Sequence, residues 1–198
     1  MPETRGSRRP NQLVGVGCDD GRVTKLGGGW TSYACISMKC DTKGRIYPLD
    51  VVAGRIRVDG LDASSVLASA ISMLEHPVDV VFLDSVTIAG FNVASPSTIS
   101  RLVGAPVIVV YTYKPCYTRL AKAASKLRYF EIRERVLRLT KYARKLSTSK
   151  GDVYVIAWGL REPDKTRFLV ECFQLYARKP EPVRVAHFIA SSIYKFIK

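Results

Sequence analysis

Residues 13–19 read LVGVGCD, a short apolar run that ends in an acidic residue. Such a run, bounded by polar and glycine-rich segments, is typical of a buried β-strand. Two further segments rich in aromatic and β-branched residues follow at 30–38 and 45–58, after glycine-containing loops. Three strands separated by such turns predict an antiparallel meander at the start of the fold.

The hydrophobic period then changes to that of a helix. In residues 62–76, DASSVLASAISMLEH, apolar side chains recur at helical spacing, and Pro77 ends the pattern. Asp62 is predicted to cap this helix, with its side chain accepting hydrogen bonds from the backbone N–H groups two or three residues on.

The rest of the chain continues with strands and helices. Residues 78–84 and 106–113 predict buried strands, 97–103 a short helix and 152–158 a last strand. Residues 117–149 are expected to form two basic helices, and helices are expected at 164–176 and, after Pro182, at 184–197. This order predicts an RNase H-like α/β fold, a mixed five-stranded sheet flanked by helices. Residues 13–198 are expected to form one domain, preceded by a flexible basic tail at 1–12.

Charge is unevenly distributed along the chain. The net charge is +14; residues 13–112 carry eight basic and nine acidic residues, whereas residues 113–198 carry twenty and seven. Acids in one half and a strongly basic other half suit an enzyme that handles a polyanion, with carboxylates for metal and cations for phosphate. We therefore expect nucleic acid as the partner; the alternative is a basic surface without one. The chain has no apolar run of membrane-spanning length and no secretory signal, so a cytoplasmic protein without membrane contact is expected.

The five cysteines do not form a zinc site. Cys35 and Cys40 make a C-x4-C pair without a second pair, and His76 and His187 stand alone. Small buried thiols are the expected role, and a disulfide is possible although no pairing is predicted.

Three aspartates stand at the ends of predicted elements. Asp19 ends the first strand and Asp84 the fourth, so they would emerge at one sheet edge if those strands are parallel neighbours. Asp62 begins the first helix, and only the RNase H-like fold, not the strand geometry, brings it to the same edge. Carboxylates this close are costly without a cation, because like charges raise one another's pKa. Mg²⁺ or Mn²⁺, which prefer oxygen ligands, would offset that cost and support phosphodiester hydrolysis. Asp20 would share in binding the metal or stabilise the following turn.

Five segments resemble, in order, those of an archaeal family related to endonuclease V and labelled endonuclease dU. They are VGVGCDDG (14–21), VDGLDASSVL (58–67), FLDSVTIAGFNV (82–93), APVIVVYTYKP (105–115) and EPVRVAHFIASSI (181–193). The resemblance implies an RNase H-like nuclease that uses Mg²⁺ or Mn²⁺ to cut nucleic acid near deaminated or modified bases, as in DNA repair.

The resemblance also implies roles for single residues. Asp19, Asp62 and Asp84 match metal-ligand positions, Lys114 a lysine that contacts the scissile phosphate or water, and His187 a histidine near the metal. The chain departs from the family's usual LDG at Ser85, where a glycine would let substrate approach the backbone more closely. Asn92 is expected to cap a turn, with a hydrogen bond to a base as the alternative.

Basic residues are dense in residues 122–150, with ten cations and two acids. Arg133, Arg138 and Lys141 are the candidate nucleic-acid contacts in this segment; a merely solvated helix face is the other interpretation. The sequence leaves two functions open, a metal-dependent endonuclease and a nucleic-acid-binding protein of the same fold with little or no catalysis.

Overall fold

The computed structural model describes residues 12–24, 28–125 and 130–196. The predicted tail at residues 1–12 lies outside this part of the chain except for Gln12. Nine strands occur in the described part: β1 (Leu13–Asp20), β2 (Trp30–Cys40), β3 (Ile46–Arg57), β4 (Val80–Leu83), β5 (Thr87–Ile88), β6 (Asn92–Val93), β7 (Val107–Tyr111), β8 (Arg144–Thr148) and β9 (Gly151–Trp158). The α-helices are α1 (Ala63–Ser72), α2 (Pro96–Val103), α3 (Tyr117–Ala124), α4 (Phe130–Thr140), α5 (Pro163–Cys172) and α6 (Glu181–Ile193).

Seven of these strands form one mixed sheet in the order β3-β2-β1-β4-β7-β9-β8. The first three strands are the predicted antiparallel meander, and β4 and β7 continue the sheet parallel to β1. The predicted mixed α/β fold is confirmed, with two strands more than the five expected. β9 corresponds to the last strand predicted at 152–158, whereas β8 was not predicted, and the two form an antiparallel hairpin beside β7.

The prediction of helix throughout residues 117–149 is wrong at its end. Helix α4 stops at Thr140, and β8 pairs with β9 in a register that places Arg144 opposite Val155. Leu146 is buried against the sheet while its two neighbours are exposed, the alternation of a strand. Sheet pairing with a later segment therefore decided the structure of this basic stretch, and its helix-forming side chains did not.

The sheet is covered on both faces, and each face has its own core. On one face Val16, Cys18 and Leu83 pack with helices α1, α2 and α4. On the other face Val80, Phe82 and other sheet residues pack with α5 and α6. Helix α6 begins at Glu181, three residues earlier than expected, because proline is well accommodated in the first turn of a helix and Pro182 lies there.

The cysteines correct the expectation of free thiols. Cys18 and Cys35 stand opposite each other on β1 and β2 and form a disulfide bond, with their Cα atoms 4.2 Å apart. Antiparallel neighbours at this spacing are close enough for a bridge, although the sequence pattern alone does not reveal which residues are opposite. Cys40 is a buried thiol and Cys116 an exposed one. Within the described segments no helix has the length and apolar character needed to cross a bilayer.

Candidate active site

Two acidic residues stand side by side where β1 and β4 end. These strands are parallel, and Cys18 on β1 is in register with Leu83 on β4. Asp19 and Asp84 are the next residues on each strand, so the carboxyl ends of two adjoining strands each supply one carboxylate. Side chains alternate along a strand, and Phe82 faces the α5–α6 layer. Asp84 therefore leaves the sheet on the same face, and so does Asp19, two residues after Gly17.

Two glycines let the helical layer lie directly on β1. A Cβ atom on Gly17 would come 2.1 Å from the backbone carbonyl carbon of Pro182, and one on Gly15 would come 2.7 Å from the ring of Phe173. Neither distance is compatible with a side chain. Helix α6 therefore begins in contact with the backbone of β1, and its next turn brings His187 over Asp19.

The His187 imidazole and the Asp19 carboxylate form the central contact of the site. Nδ1 of His187 lies 2.9 Å from Oδ2 of Asp19, and Asp19 is buried while His187 is largely exposed. Contact with this carboxylate raises the pKa of His187 above its ordinary value, although partial burial opposes the shift. The imidazole is therefore more readily charged here than in water.

Asp84 pairs with a lysine that the sequence analysis did not single out. The Nζ atom of Lys179 lies 2.6 Å from Oδ1 of Asp84, from the segment that leads into α6. Burial raises the pKa of Asp84, and the negative charge of Asp19 adds to this, while Lys179 and His187 oppose it. The charges of Asp19, Asp84, His187 and Lys179 thus act on one another in a small, partly dehydrated volume.

Asp20 points to the other face of the sheet. Its Oδ2 accepts a hydrogen bond from the backbone N–H of Ala89, in the turn between β5 and β6. Burial, together with the neighbouring charge of Asp19, raises the pKa of Asp20 to about 7. Asp20 therefore supports the distant turn between β5 and β6, not the turn that directly follows it in the chain as expected.

Asp62 lies on the α1 side of the sheet, and its predicted capping bonds are absent. Its side chain makes no cap hydrogen bond; Oδ1 of Asn92 accepts instead from the N–H of Ala63, at 2.8 Å. Nδ2 of Asn92 donates to Oδ1 of Asp62, at 2.6 Å, and to the carbonyl oxygen of Arg57. The buried amide of Asn92 thus caps α1 from strand β6, although Asn92 lies thirty positions from Asp62 in the sequence.

The structure brings together some of the predicted site residues and separates others. His187 contacts Asp19, and Asp84 follows the adjoining strand beside Asp19. In the described segments no hydrogen bond or ion pair joins Asp62 or the exposed Lys114 to Asp19 or Asp84. Arg138 and Lys141 are exposed residues at the end of α4 and just beyond it, and α4 packs on the face opposite α6. The side chain of Arg133 lies outside the described part of the chain.

The oxygen atoms of the acid pair suit a divalent cation. Oδ2 of Asp19 is buried and, within residues 12–24, 28–125 and 130–196, accepts no hydrogen bond, although Nδ1 of His187 lies 2.9 Å away. Over the same residues no three His, Cys, Asp or Glu side chains are grouped as a metal site. An orphaned carboxylate oxygen beside a second carboxylate fits a hard cation that would take further ligands from water or substrate.

Comparison with known proteins identifies the family. The sequence model described as endonuclease dU matches residues 11–194, nearly the whole chain. The chain belongs to the endonuclease dU family. It is 48% identical over 180 residues to a UPF0215 protein of Aeropyrum pernix, an alignment that covers 89% of this chain and 95% of the relative. The predicted relationship is thereby confirmed.

Solved structures agree with this assignment. A protein of unknown function from Archaeoglobus fulgidus superposes with a TM-score of 0.74 at 26% identity, covering 91% of this chain and 98% of that one. Endonuclease V of Ciona intestinalis, in complex with a 24mer DNA containing an inosine followed by a ribo-adenosine, superposes with a TM-score of 0.55 at 12% identity, covering 95% and 87%. The endonuclease V likeness establishes a common fold.

Two hollows in this endonuclease dU family member meet at His187. One, of about 490 Å³, is lined by Gly21, Arg22, Ser191, Tyr194 and Lys195 in addition to His187. The other, of about 560 Å³, is named here the basic hollow, and its lining includes Lys150, Tyr176, Arg178, Lys179, Arg184 and His187. Sequence reasoning missed Lys179; its only local signal is its position in the segment KPEP, immediately before α6.

Proposed function

We propose that the protein is a metal-dependent endonuclease that hydrolyses phosphodiester bonds in nucleic acid near deaminated or otherwise modified bases, as DNA-repair enzymes do. The observation that carries the proposal is the pairing of Asp19 and Asp84 at the carboxyl ends of adjoining parallel strands, with His187 against Asp19. Membership of the endonuclease dU family supports it, as does the likeness of the fold to an endonuclease V bound to DNA.

Asp19 and Asp84 would hold Mg²⁺ or Mn²⁺ through their carboxylate oxygens. The chemistry that such an ion supplies is activation of water and neutralisation of the leaving oxygen. His187 orients the Asp19 carboxylate and, when protonated, adds positive charge where phosphate would lie. Lys179 balances Asp84 and supplies a second cation at the same edge. Asp62 remains a proposed ligand, as the family resemblance implies, and Lys114 a proposed phosphate contact, exposed three residues beyond the end of β7.

A nucleic-acid-binding protein without catalysis is the second candidate. The Lys179–Asp84 ion pair, at 2.6 Å, favours it, because an ammonium group already compensates one of the two carboxylates. The basic hollow beside the pair would serve binding equally well with or without cleavage.

Substitution of Asp84 separates the two functions. Wild type and Asp84→Asn are compared on labelled oligonucleotides that carry deoxyuridine, deoxyinosine or inosine, with Mg²⁺ and with Mn²⁺. Loss of an anionic metal ligand predicts that cleavage falls by orders of magnitude, while affinity in EDTA holds or rises slightly because one charge that repels phosphate is gone. The matched control is Asp164→Asn, which changes an aspartate whose side chain is 93% exposed on α5.

Calorimetry with Mn²⁺ gives an independent reading. The nuclease is supported if wild type and Asp164→Asn bind Mn²⁺ and Asp84→Asn does not. If wild type binds oligonucleotides at low salt but cuts none of them with either metal, the second function replaces the first.

A further inference from the structure

The basic hollow opens next to the acid pair. Lys179 lines the hollow and is the ion-pair partner of Asp84, and His187 lines it and contacts Asp19. A phosphate group in the hollow would therefore lie beside both carboxylates. No aspartate or glutamate is among the described residues that line this volume.

Sheet topology explains why the hollow forms at this edge. β9 runs antiparallel to β7, with Tyr111 opposite Tyr154, so the turn before β9 lies beyond the carboxyl end of β7. β7 is parallel to β4, and β4 to β1, so this is also the edge that carries the acid pair. The turn contributes Lys150, the segment between α5 and α6 contributes Arg178 and Lys179, and α6 contributes Arg184.

Two cations of the hollow have charge to offer a ligand. Lys150 is exposed in the turn and has no ion pair within the described segments. Arg178 is held by the ring of Tyr113, 4.9 Å from the centroid, and by the carbonyl oxygen of Asp152. The nearby Asp152 carboxylate also interacts with Arg178, but it is already paired with Lys145 at 2.6 Å. Arg184, in contrast, is engaged by both carboxylate oxygens of Glu181, at 2.7 and 2.9 Å. Oriented guanidinium and ammonium groups of this kind bind phosphate.

An exposed aromatic ring stands among these cations. Tyr176 lines the hollow two residues before Arg178, and its side chain is 82% exposed. A positively charged groove with an exposed ring is the usual arrangement for binding single strands, because an unpaired base stacks on the ring while the cations hold the backbone. In a duplex the bases are already stacked on one another, so the ring of Tyr176 favours an unpaired nucleotide.

We propose that the basic hollow binds a single-stranded segment of nucleic acid, with Lys150 and Arg178 on its phosphates and an unpaired base stacked on Tyr176. This inference rests on the proposed function and names its substrate as an unpaired strand or a locally opened duplex. It also assigns the strand to the α5–α6 face of the sheet rather than to α4.

The test measures binding of a fluorescein-labelled oligothymidine of fifteen nucleotides in EDTA, over a range of salt concentrations. Tyr176→Ala should weaken binding roughly 5- to 150-fold, the worth of stacking one base, and Tyr176→Phe should restore it. Lys150→Glu should lower affinity and reduce the slope of log affinity against log salt by about 0.7, one phosphate contact on a single strand. The matched control is the double substitution Arg138→Glu and Lys141→Glu, which reverses charge near the end of α4 and should change affinity less than Lys150→Glu alone. A duplex of the same length should bind more weakly than the single strand.

Several outcomes would overturn the inference. They are unchanged binding in Tyr176→Ala and Lys150→Glu, equal loss in Tyr176→Phe, a larger effect of the α4 control, tighter binding of the duplex, or no binding at low salt. Because no metal is present in this binding assay, its result does not depend on the cleavage assay that compares wild type with Asp84→Asn. Single-strand binding in the basic hollow can therefore be refuted while the nuclease activity is supported, and the reverse is equally possible.

Discussion

The substitution Gly17→Ala should displace helix α6, and with it His187, without changing any residue of the site. The Cβ of Gly17→Ala would lie 2.1 Å from the carbonyl carbon of Pro182, where ordinary contact begins at 3.4 Å. The obstacle is backbone, so the start of α6 must retreat from β1 by about 1.3 Å, the difference between those two distances. Overpacking of this kind costs about 1–3 kcal/mol of the free energy of unfolding.

The retreat of α6 also carries His187 away from Asp19. Their 2.9 Å contact is the main reason for the raised pKa of His187, so the pKa should fall back toward 6.5 in Gly17→Ala. NMR titration in EDTA measures this directly, because the chain has only two histidines, and His187→Gln assigns the resonance. The graded control is Gly15→Ala, whose Cβ meets the ring of Phe173, a side chain that can turn, and the expected shift is smaller.

The sign of the pH dependence provides a second reading. A histidine whose pKa is raised on folding stabilises the protein fully below its unfolded pKa, and this contribution is lost as the pH rises through the raised value. The stability difference between wild type and Gly17→Ala should therefore be larger at pH 5.5 than at pH 8.5. A Gly17→Ala protein with wild-type Tm and an unchanged His187 pKa would refute the view that contact with β1 positions α6.

Three other substitutions test the supports around the site. Cys35→Ala should lower the free energy of unfolding by about 3 kcal/mol, because the lost disulfide spans 17 positions, whereas Cys116→Ala at an exposed free thiol should change little in chemical denaturation. Asp20→Asn should raise the Tm in EDTA at pH 8 and leave it unchanged near pH 4. Because folding raises the pKa of Asp20 to about 7, wild type loses stability as the pH rises from about 4 to about 7. An equal rise in Tm at pH 4 and pH 8 would contradict this origin. Asn92→Ala should destabilise by about 1–3 kcal/mol for each buried group left unpaired, measured by urea denaturation, and a loss under about 0.5 kcal/mol would mean that the amide does not cap α1.

The hydrophobic pattern of a single segment is sufficient to predict the strands and the helix that precede or follow the three aspartates. The apolar run before Asp19, the run before Asp84 and the helical spacing after Asp62 each belong to one continuous segment, and their side chains report burial directly. Aspartates at strand ends are therefore recognisable as candidates from the amino-acid sequence alone, and the parallel pairing of β1 and β4 makes two of them neighbours.

Tertiary structure decided every feature that joins distant segments. β8 exists because residues 144–148 pair with β9, against the helical preference of their own side chains. Asn92 caps α1, and Cys18 meets Cys35, only once β6 and β2 are in place. Lys179 reaches Asp84 because glycine at position 17 lets α6 begin against β1. Periodicity reports which side of an element is buried, but hydrogen bonds and ion pairs between elements depend on register and on the distance between backbones, which are set only when the layers pack.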